Sequence, residues 1–474
     1  MTAAGPDIAP RRHLPPQPIH VPIAPGIFRQ NDIRGIVDRD LTVEAARAIG
    51  RAYAAVMRER GVAGEIAVGR DNRPSGQRLR DALVAGLTES GVDVVDIGVV
   101  PTPLLYWSLF NLDVAGGIQI TGSHNPAEYN GFKLCLGTES LHGQDIQQLF
   151  AHIDEPASAK KGRVREHEVV ERYVHDVASR IGRISRPLKV VYDCGNGAAT
   201  RVAPQLFRAL GLDAVGLFTE DDGTFPNHHP DPTVPANLED LIAAVRREGA
   251  EIGIAFDGDA DRIGMVDGTG RIVWGDHLLI LYARDVFSRL GKGIPVIFDV
   301  KCSQALPDAI AKAGGTPVMW KTGHSLIKEK MKELHAPLAG EMSGHMFFAE
   351  GYYGYDDALY GAARLLRIVA DSGHTVQELL SDVPEFISTP EIRVDCGDDV
   401  KFEIVERAVG WFRSRYDVID VDGVRVLFGD GWGLIRASNT QPVLVARYEA
   451  SSRERLRAIQ GEICLLYTSD AADE

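Results

Sequence analysis

The sequence predicts an α/β architecture: three related α/β mixed-sheet domains followed by one α+β domain around a central cleft. Three observations carry this. A unit of apolar strand, polar loop, helix, glycine and second apolar strand occurs three times, at a spacing of roughly 120 residues, too long for a solenoid. After about residue 385 the texture changes to strands that alternate apolar and polar residues. The length, 474 residues, also exceeds what one hydrophobic core usually organises.

In the first unit EIAVGRD ends at Asp71, RLRDALVAGLTES reads as a helix, and Gly91 precedes VDVVDIGVV. The second runs from LKVVYD, ending at Asp193, through RVAPQLFRAL and Gly211 to LDAVGLF. The third runs from IPVIFD, ending at Asp299, through SQALPDAIAKA and Gly314-Gly315 to TPVMW. A continuous apolar strand implies a sheet covered on both faces, and a glycine after the helix implies a left-handed cap. In such sheets ligands collect at loops beyond the carboxyl ends of the strands. Further on, EIRVDC, DVIDVDGVRVLFGDGWGLIRAS and VLVARYEA predict antiparallel strands with one wet face, Asp-Gly turns at 422–423 and 430–431, and flanking helices near 401–415 and 452–463. The expected boundaries are 26–168, 169–271, 272–385 and 386–463.

The ends fall outside this plan. Residues 1–25 hold seven prolines and no periodic apolar face, which predicts a disordered or polyproline-like leader. The last residues, CLLYTSDAADE at 464–474, resemble translated sequencing-adapter DNA and are expected to be a non-native read-through tail.

A formal net charge of −15 argues against nucleic acid or an anionic membrane surface as the main partner, while leaving room for a small anion in a local basic pocket. No apolar stretch approaches the roughly 20 residues that span a bilayer. No signal-peptide pattern opens the chain, and the five cysteines include no C-x-x-C pair, so reduced thiols and a cytoplasmic location are expected.

Four loops carry the candidate chemistry. TGSHNP at 121–126 places Ser123 and His124 on a stiff turn, where Gly122 permits an unusual backbone angle. Read alone, Ser123 is better explained as a turn residue, because neighbouring side chains on an extended backbone point apart. DGDADR at 257–262 sets Asp257, Asp259 and Asp261 at alternate positions, with Gly258 letting the loop curl. Oxygen ligands of this kind favour Mg²⁺ or Mn²⁺. The loop is not an EF-hand, since Thr269 stands at the twelfth position and Arg262 at the sixth; a solvated acidic turn is the alternative, but three carboxylates in five residues directly after a buried strand repel one another without a cation, so metal binding is expected. GEMSGH at 340–345 offers Glu341 and Ser343 to sugar hydroxyls and His345 as a titratable group. RASNTQP at 436–442 offers Arg436, Ser438, Asn439 and Thr440 as a phosphate cradle, with Arg447 further along.

Taken in order, with FRQNDIRG, GRDNR, NGFK and KTGHS, these loops resemble those of the α-D-phosphohexomutase family, in wording closest to its bacterial phosphomannomutase/phosphoglucomutase branch. The resemblance covers about residues 26–463. It implies an isomerase that interconverts hexose 1-phosphate and hexose 6-phosphate through a phosphoserine and a 1,6-bisphosphate. Ser123 is then the phosphorylated residue, with His124 beside it, and Asp257, Asp259 and Asp261 bind one Mg²⁺ together with a phosphoserine oxygen. Arg34, Lys133 and Arg262 flank the transfer; Glu341, Ser343, His324 and His345 face the sugar; Arg436, Ser438, Asn439, Thr440 and Arg447 hold the phosphate that is not reacting, and Lys301 is a further substrate-binding residue. Lys133, His324 and His345 are the candidates for general base. The resemblance also implies glucose or mannose 1,6-bisphosphate as activator and a monomer or weak dimer. One position departs: Asn31 stands where the family commonly has Tyr, which leaves mannose against glucose open. Two rivals use the same residues, a phosphatase passing phosphate from Ser123 to water and a non-catalytic sugar-phosphate sensor.

Overall fold

The computed structural model describes residues 23–158, 161–397, 399–438 and 442–469, with side chains to residue 463. All three strand–helix–strand units form, and each pairs its strands in parallel: Ile66–Arg70 with Val94–Val99, Lys189–Asp193 with Asp213–Leu217, Pro295–Asp299 with Thr316–Trp320. The linking helices are Gly76–Glu89, Ala203–Ala209 and Ala305–Lys312. Gly91, Gly211 and Gly314 follow them at φ of 87°, 76° and 88°, the left-handed turn expected after a helix. Asp213–Leu217 and Thr316–Trp320 are half-exposed and not fully buried, because each forms the edge of its sheet.

On the other side of its first strand each domain adds an antiparallel hairpin. The pairs are Gly116–Ile120 with Tyr129–Leu136, Ile252–Phe256 with Ile263–Asp267, and Leu338–Gly340 with Met346–Phe348. The first strand of each hairpin runs parallel to the first strand of the unit. The loops that close the hairpins are TGSHNP, DGDADR and GEMSGH. Three motifs of different chemistry thus hold the same place in three copies of one sheet plan, at the carboxyl ends of its strands.

The last domain is an antiparallel sheet in the order Ile387–Ser388, Val443–Ala450, Gly431–Ala437, Val424–Leu427, Asp417–Ile419, with Ile392–Asp395 also on Val443–Ala450. Helices Lys401–Arg413 and Arg453–Ser469 supply Val405, Phe412, Ile459 and Ile463 to the core on one face. The other face is not wet. Gly431–Ala437 and Val443–Ala450 are buried almost throughout, because the polar face is pressed against the third domain. Arg425 Nη1 donates to the carbonyls of Val300 and Cys302 at 2.8 and 2.7 Å, and its guanidinium lies 3.7 Å from the Trp432 ring centroid. Glu449 accepts from Trp432 Nε1 at 2.8 Å and from the Gln304 amide at 2.9 Å. Burial of Arg425 lowers its pKa to about 10. The turn at Asp422-Gly423 is present, with Gly423 at φ 78°, but the second turn centres on Gly429 at φ 82°, closed by the Phe428 amide donating to Gly431.

One apolar core runs through the first three domains, a second fills the other face of the first sheet, and a third lies under the last sheet. Of the expected leader, residues 1–22 lie outside the described residues; Ile23 packs against the first domain, and Pro25–Ile27 forms a 3₁₀ turn. The final helix continues past residue 463 to Ser469, through residues that include the good helix former Leu465 and no Gly or Pro. Among the described residues no helix is long and apolar enough to cross a membrane.

Candidate active site

Ser123 sits at the tip of the first hairpin with φ of 49°, in the left-handed region that non-glycine residues seldom adopt. The unusual angle belongs to the serine and not to Gly122. A Cβ on Gly122 would stand 2.6 Å from the Arg73 guanidinium, so this glycine serves close approach. The bend also removes the objection to Ser-His adjacency: the backbone is not extended, and Ser123 Oγ lies 3.0 Å from His124 Nδ1. Burial, then Arg262 and Arg34, push the His124 pKa well below its usual value.

Arg73 holds this loop. Its Nη2 donates to the carbonyls of Ser123 and Asn125, both at 2.6 Å, and its Nη1 to those of Pro126 and Tyr129 at 2.6 and 3.1 Å. Asp71 pairs with Arg73 Nε at 3.1 Å and accepts from Thr121 Oγ1 at 2.8 Å and the Gly122 amide at 3.1 Å. One buried ion pair therefore sets the path of the whole serine loop. Sequence reasoning gave Arg73 no role; its signal was the GRDNR stretch after the first strand.

The second hairpin brings the three aspartates together. Asp257, Asp259 and Asp261 are fully buried, and each offers an oxygen within 4.8 Å of the others. Ala260, at φ of 57°, turns the loop. Gly258 is needed for contact and not for curl, since a Cβ there would collide with the Ser123 carbonyl. That collision measures how tightly the two loops meet: Ser123 Oγ donates to Asp257 Oδ2 at 3.3 Å. Lys133 Nζ donates to Asp259 at 2.9 Å and to Asp261, and Thr102 Oγ1 donates to Asp259 at 2.5 Å.

The charges conflict without a cation. Burial, then Asp261 and Asp259, raise the Asp257 pKa well above the usual range. Burial also opposes the charge on Asp261, but Lys133 and His345 outweigh it and hold that pKa low. Burial acts against the Lys133 ammonium too, yet Asp259 and Asp261 prevail and keep it protonated. Asp259 Oδ1 and Asp261 Oδ1 are buried with no hydrogen-bond partner. Oxygen donors that converge, repel one another and keep free lone pairs fit a hard divalent ion such as Mg²⁺.

The third hairpin supplies the opposite wall. The Gly323 amide donates to Glu341 at 2.6 Å, and Ser343 Oγ to the other carboxylate oxygen of Glu341 at 3.4 Å. Burial raises the Glu341 pKa. His324 and His345 stack at 5.8 Å between ring centroids. Arg262 Nε donates to His345 Nε2 at 2.9 Å, and a backbone bridge joins the same two residues. Behind both rings lies the buried carboxylate of Asp356, which accepts from Lys328 Nζ at 3.2 Å. Burial, then Lys328, push the His324 pKa well below 6.5, so its ring is neutral near pH 7.

From the last domain Arg436 and Arg447 reach the same space. Arg436 Nε donates to Asp422 at 2.9 Å, Arg447 Nη1 to the Lys301 carbonyl, and Lys401 Nζ to the Ser438 carbonyl at 2.6 Å. Lys301 Nζ donates to Glu391 at 2.7 Å; Lys301 in turn lowers the Glu391 pKa to about 2. Asn439 and Thr440 lie outside the described residues. Arg34 enters from the first domain, donating through Nη1 to Asn125 at 2.9 Å and through Nη2 to Asp32. A single cavity of about 510 Å³ is lined by Arg34, Ser123, His124, Lys133, Asp261, Arg262, Lys301, His324, Glu341, Ser343, His345, Arg436, Ser438 and Arg447, within the size range of small-molecule sites. Asp257 and Asp259 lie beneath its lining. Residues as far apart as Arg34 and Arg447, 413 positions in a chain of negative net charge, thus enclose one basic chamber.

Comparison with known proteins agrees with this geometry. Family models for phosphoglucomutase/phosphomannomutase match the chain four times: α/β/α domain I over residues 25–159, domain II over 171–270, domain III over 274–386, and the C-terminal domain over 391–466. A phosphomannomutase/phosphoglucomutase of Pseudomonas putida is 48% identical over 92% of this chain and 94% of its own. One from Pseudomonas aeruginosa is 49% identical over the same shares. A solved structure of a phosphoglucomutase/phosphomannomutase family protein from Burkholderia thailandensis superposes with a TM-score of 0.87 at 43% identity, covering 94% of this chain and 98% of that one. The chain belongs to the phosphoglucomutase/phosphomannomutase family, within the α-D-phosphohexomutases.

Proposed function

We propose that the chain is a phosphomannomutase/phosphoglucomutase, interconverting 1-phosphates and 6-phosphates of glucose and mannose through a phosphoserine at Ser123 and a 1,6-bisphosphate. The observation that carries this reading is the single cavity with Ser123 and the aspartate triad at one end and Arg436, Arg447 and Lys301 at the other. A phosphatase needs the first end alone.

The transfer breaks the Oγ–P bond of phosphoserine 123 and forms a P–O bond to the free hydroxyl of the hexose phosphate, whose proton must leave. Mg²⁺ held by Asp257, Asp259, Asp261 and a phosphoserine oxygen would offset the phosphate's negative charge. Lys133, fixed as a cation by two of those aspartates, adds to that offset with Arg34 and Arg262. The same charge unsuits Lys133 as a proton acceptor, and neutral His324 takes that role in this reading. His124 positions the serine hydroxyl before phosphorylation. Glu341 and Ser343 meet the sugar hydroxyls. Arg436, Ser438, Arg447 and Lys301, with Asn439 and Thr440, hold the second phosphate. A clamp that reads only phosphate accepts either end of the bisphosphate, so the sugar can reverse and return its other phosphate to Ser123.

Purified protein given glucose 1-phosphate, Mg²⁺ and a trace of glucose 1,6-bisphosphate is expected to form glucose 6-phosphate, with the bisphosphate acting as activator. Release of inorganic phosphate in its place would refute the mutase reading. The same assay with mannose 1-phosphate ranks the two sugars.

A further inference from the structure

We propose that Phe225 is a positioning residue: the segment 218–234 of the second domain straps across Arg73, and the Phe225 ring closes a face of that guanidinium, which keeps the serine loop in register with the aspartate loop. The kinetic consequences rest on the mutase reading above; the contact itself does not.

Between strand Asp213–Leu217 and the 3₁₀ turn Pro235–Leu238, residues 218–234 form neither helix nor strand. Connections longer than roughly 12–15 residues without secondary structure are uncommon and usually functional. Two aromatic residues in it, Phe218 and Phe225, stand at φ of 49° and 55°. Bulky side chains adopt that region only where their surroundings over-determine it. For Phe225 those surroundings include the first domain. A Cβ on Gly223 would collide with the Asn72 carbonyl and stand 2.6 Å from Arg73 Cα, so the two backbones touch. Asn72 Nδ2 donates to the Asn196 carbonyl at 2.6 Å and to Asp221 at 2.7 Å, which ties the segment near its start. Further along, the Pro230 carbonyl accepts from the Gly258 amide of the aspartate loop at 3.2 Å.

Arg73 has no N–H left for another partner. Its Nε faces Asp71, and Nη1 and Nη2 each donate to two loop carbonyls. Only the faces of the planar group remain, and an aromatic ring uses a face without competing for a donor. The Phe225 ring does so, with its centroid 5.1 Å from Arg73 Cζ and both side chains buried. One segment therefore bears on both loops that meet at Ser123. Through Phe225 it confines the arginine that holds the Ser123 carbonyl, and through Pro230 it holds Gly258, which lies against that same carbonyl. The 3.3 Å contact of Ser123 Oγ with Asp257 is thereby braced from outside the cavity. A residue that only filled space would need neither the left-handed backbone nor a saturated cation beneath its ring.

Three variants of the full-length protein test this, with urea unfolding to show that each is folded under assay conditions. Phe225→Leu stays apolar but offers no aromatic face; it is expected to lower kcat about 10–100-fold, with KM for glucose 1-phosphate changed less than about threefold. Phe225→Tyr keeps the ring and should stay within about threefold of the wild-type kcat. Asn72→Ala unties the strap without touching the ring and should lower kcat about 3–10-fold. Amide hydrogen exchange of the metal-free protein gives a readout independent of turnover. Residues 121–129 should exchange faster in Phe225→Leu and Asn72→Ala, while residues 340–345 keep their wild-type rates. A kcat for folded Phe225→Leu within about twofold of wild type overturns the proposal, as does a Phe225→Tyr kcat as low as that of Phe225→Leu. Faster exchange at both loops alike overturns it too. Wild-type kcat and exchange in Asn72→Ala would do the same, and that arm decides the matter should Phe225→Leu fail to fold. Absence of any turnover by wild type would refute the mutase reading, and the exchange measurement alone would then decide this inference.

Discussion

At the serine end of the cavity Ser123, Asn125, Pro126 and Tyr129 give their carbonyls to one buried arginine, while Asp71 fixes that arginine and the hairpin together. At the clamp end Arg436 is tied to Asp422, and Arg447 to a carbonyl of the neighbouring domain. In the proposed function the first end sets Ser123 as nucleophile against three carboxylates, and the second presents guanidinium groups to a phosphate, whichever carbon bears it. A reaction that must use both ends of one bisphosphate needs this asymmetry: strict geometry where the bond changes, and recognition indifferent to sugar orientation where it does not.

The contrast can be broken by removing each part in turn. Ser123→Ala is expected to lower mutase kcat by about 10⁴-fold or more while substrate Kd changes less than about threefold, read by steady-state kinetics and calorimetry. Removing divalent metal with a chelator should abolish turnover, with Mg²⁺ restoring it; full activity in chelator would contradict the triad's assigned role.

Arg73→Met leaves four loop carbonyls and a buried carboxylate unpaired. It should cost about 3–5 kcal/mol in urea unfolding, and kcat should fall with it. Arg436→Ala, by contrast, should leave folding nearly unchanged and raise KM about 10–100-fold, to a similar extent for glucose 1-phosphate and glucose 6-phosphate. An effect on only one of the two would break the claim that the clamp ignores sugar orientation.

The smallest effect concerns Asp357, behind the sugar wall, where burial raises the pKa to about 6. The folded state holds this proton more tightly than the unfolded chain, so the contribution to stability is full below about pH 4 and is lost as pH rises through 6, a loss of order 2–3 kcal/mol. The difference in unfolding free energy between wild type and Asp357→Asn should therefore change between pH 4 and 7 and level off above that.

Much of this was legible in the sequence because it is local. Apolar strands ending in Asp71, Asp193 and Asp299, glycines after helices and three aspartates after a buried strand all read directly. The three domains' equivalence was visible as a repeat, although the hairpins that place TGSHNP, DGDADR and GEMSGH in one register were not. What stayed hidden depends on partners far along the chain. Arg73 acts on carbonyls some 50 residues away, and carbonyls leave no mark in a side-chain pattern. The polar face of the last sheet read as wet because the residues that cover it, near position 300, lie over a hundred positions earlier. Gly122 and Gly258 were read as bends, while their function is to admit Arg73 and the serine loop. Asp356 was passed over inside an aromatic run.

The central claim is that Ser123 carries the phosphoryl group between the two ends of one sugar. Its most direct test is to label the enzyme with radioactive phosphate, locate the label by peptide mapping, and chase with unlabelled glucose 1-phosphate and Mg²⁺. The account predicts label on Ser123 that leaves within one turnover and appears in glucose bisphosphate and glucose 6-phosphate. Label on another residue, or label that passes to water as inorganic phosphate, would contradict it.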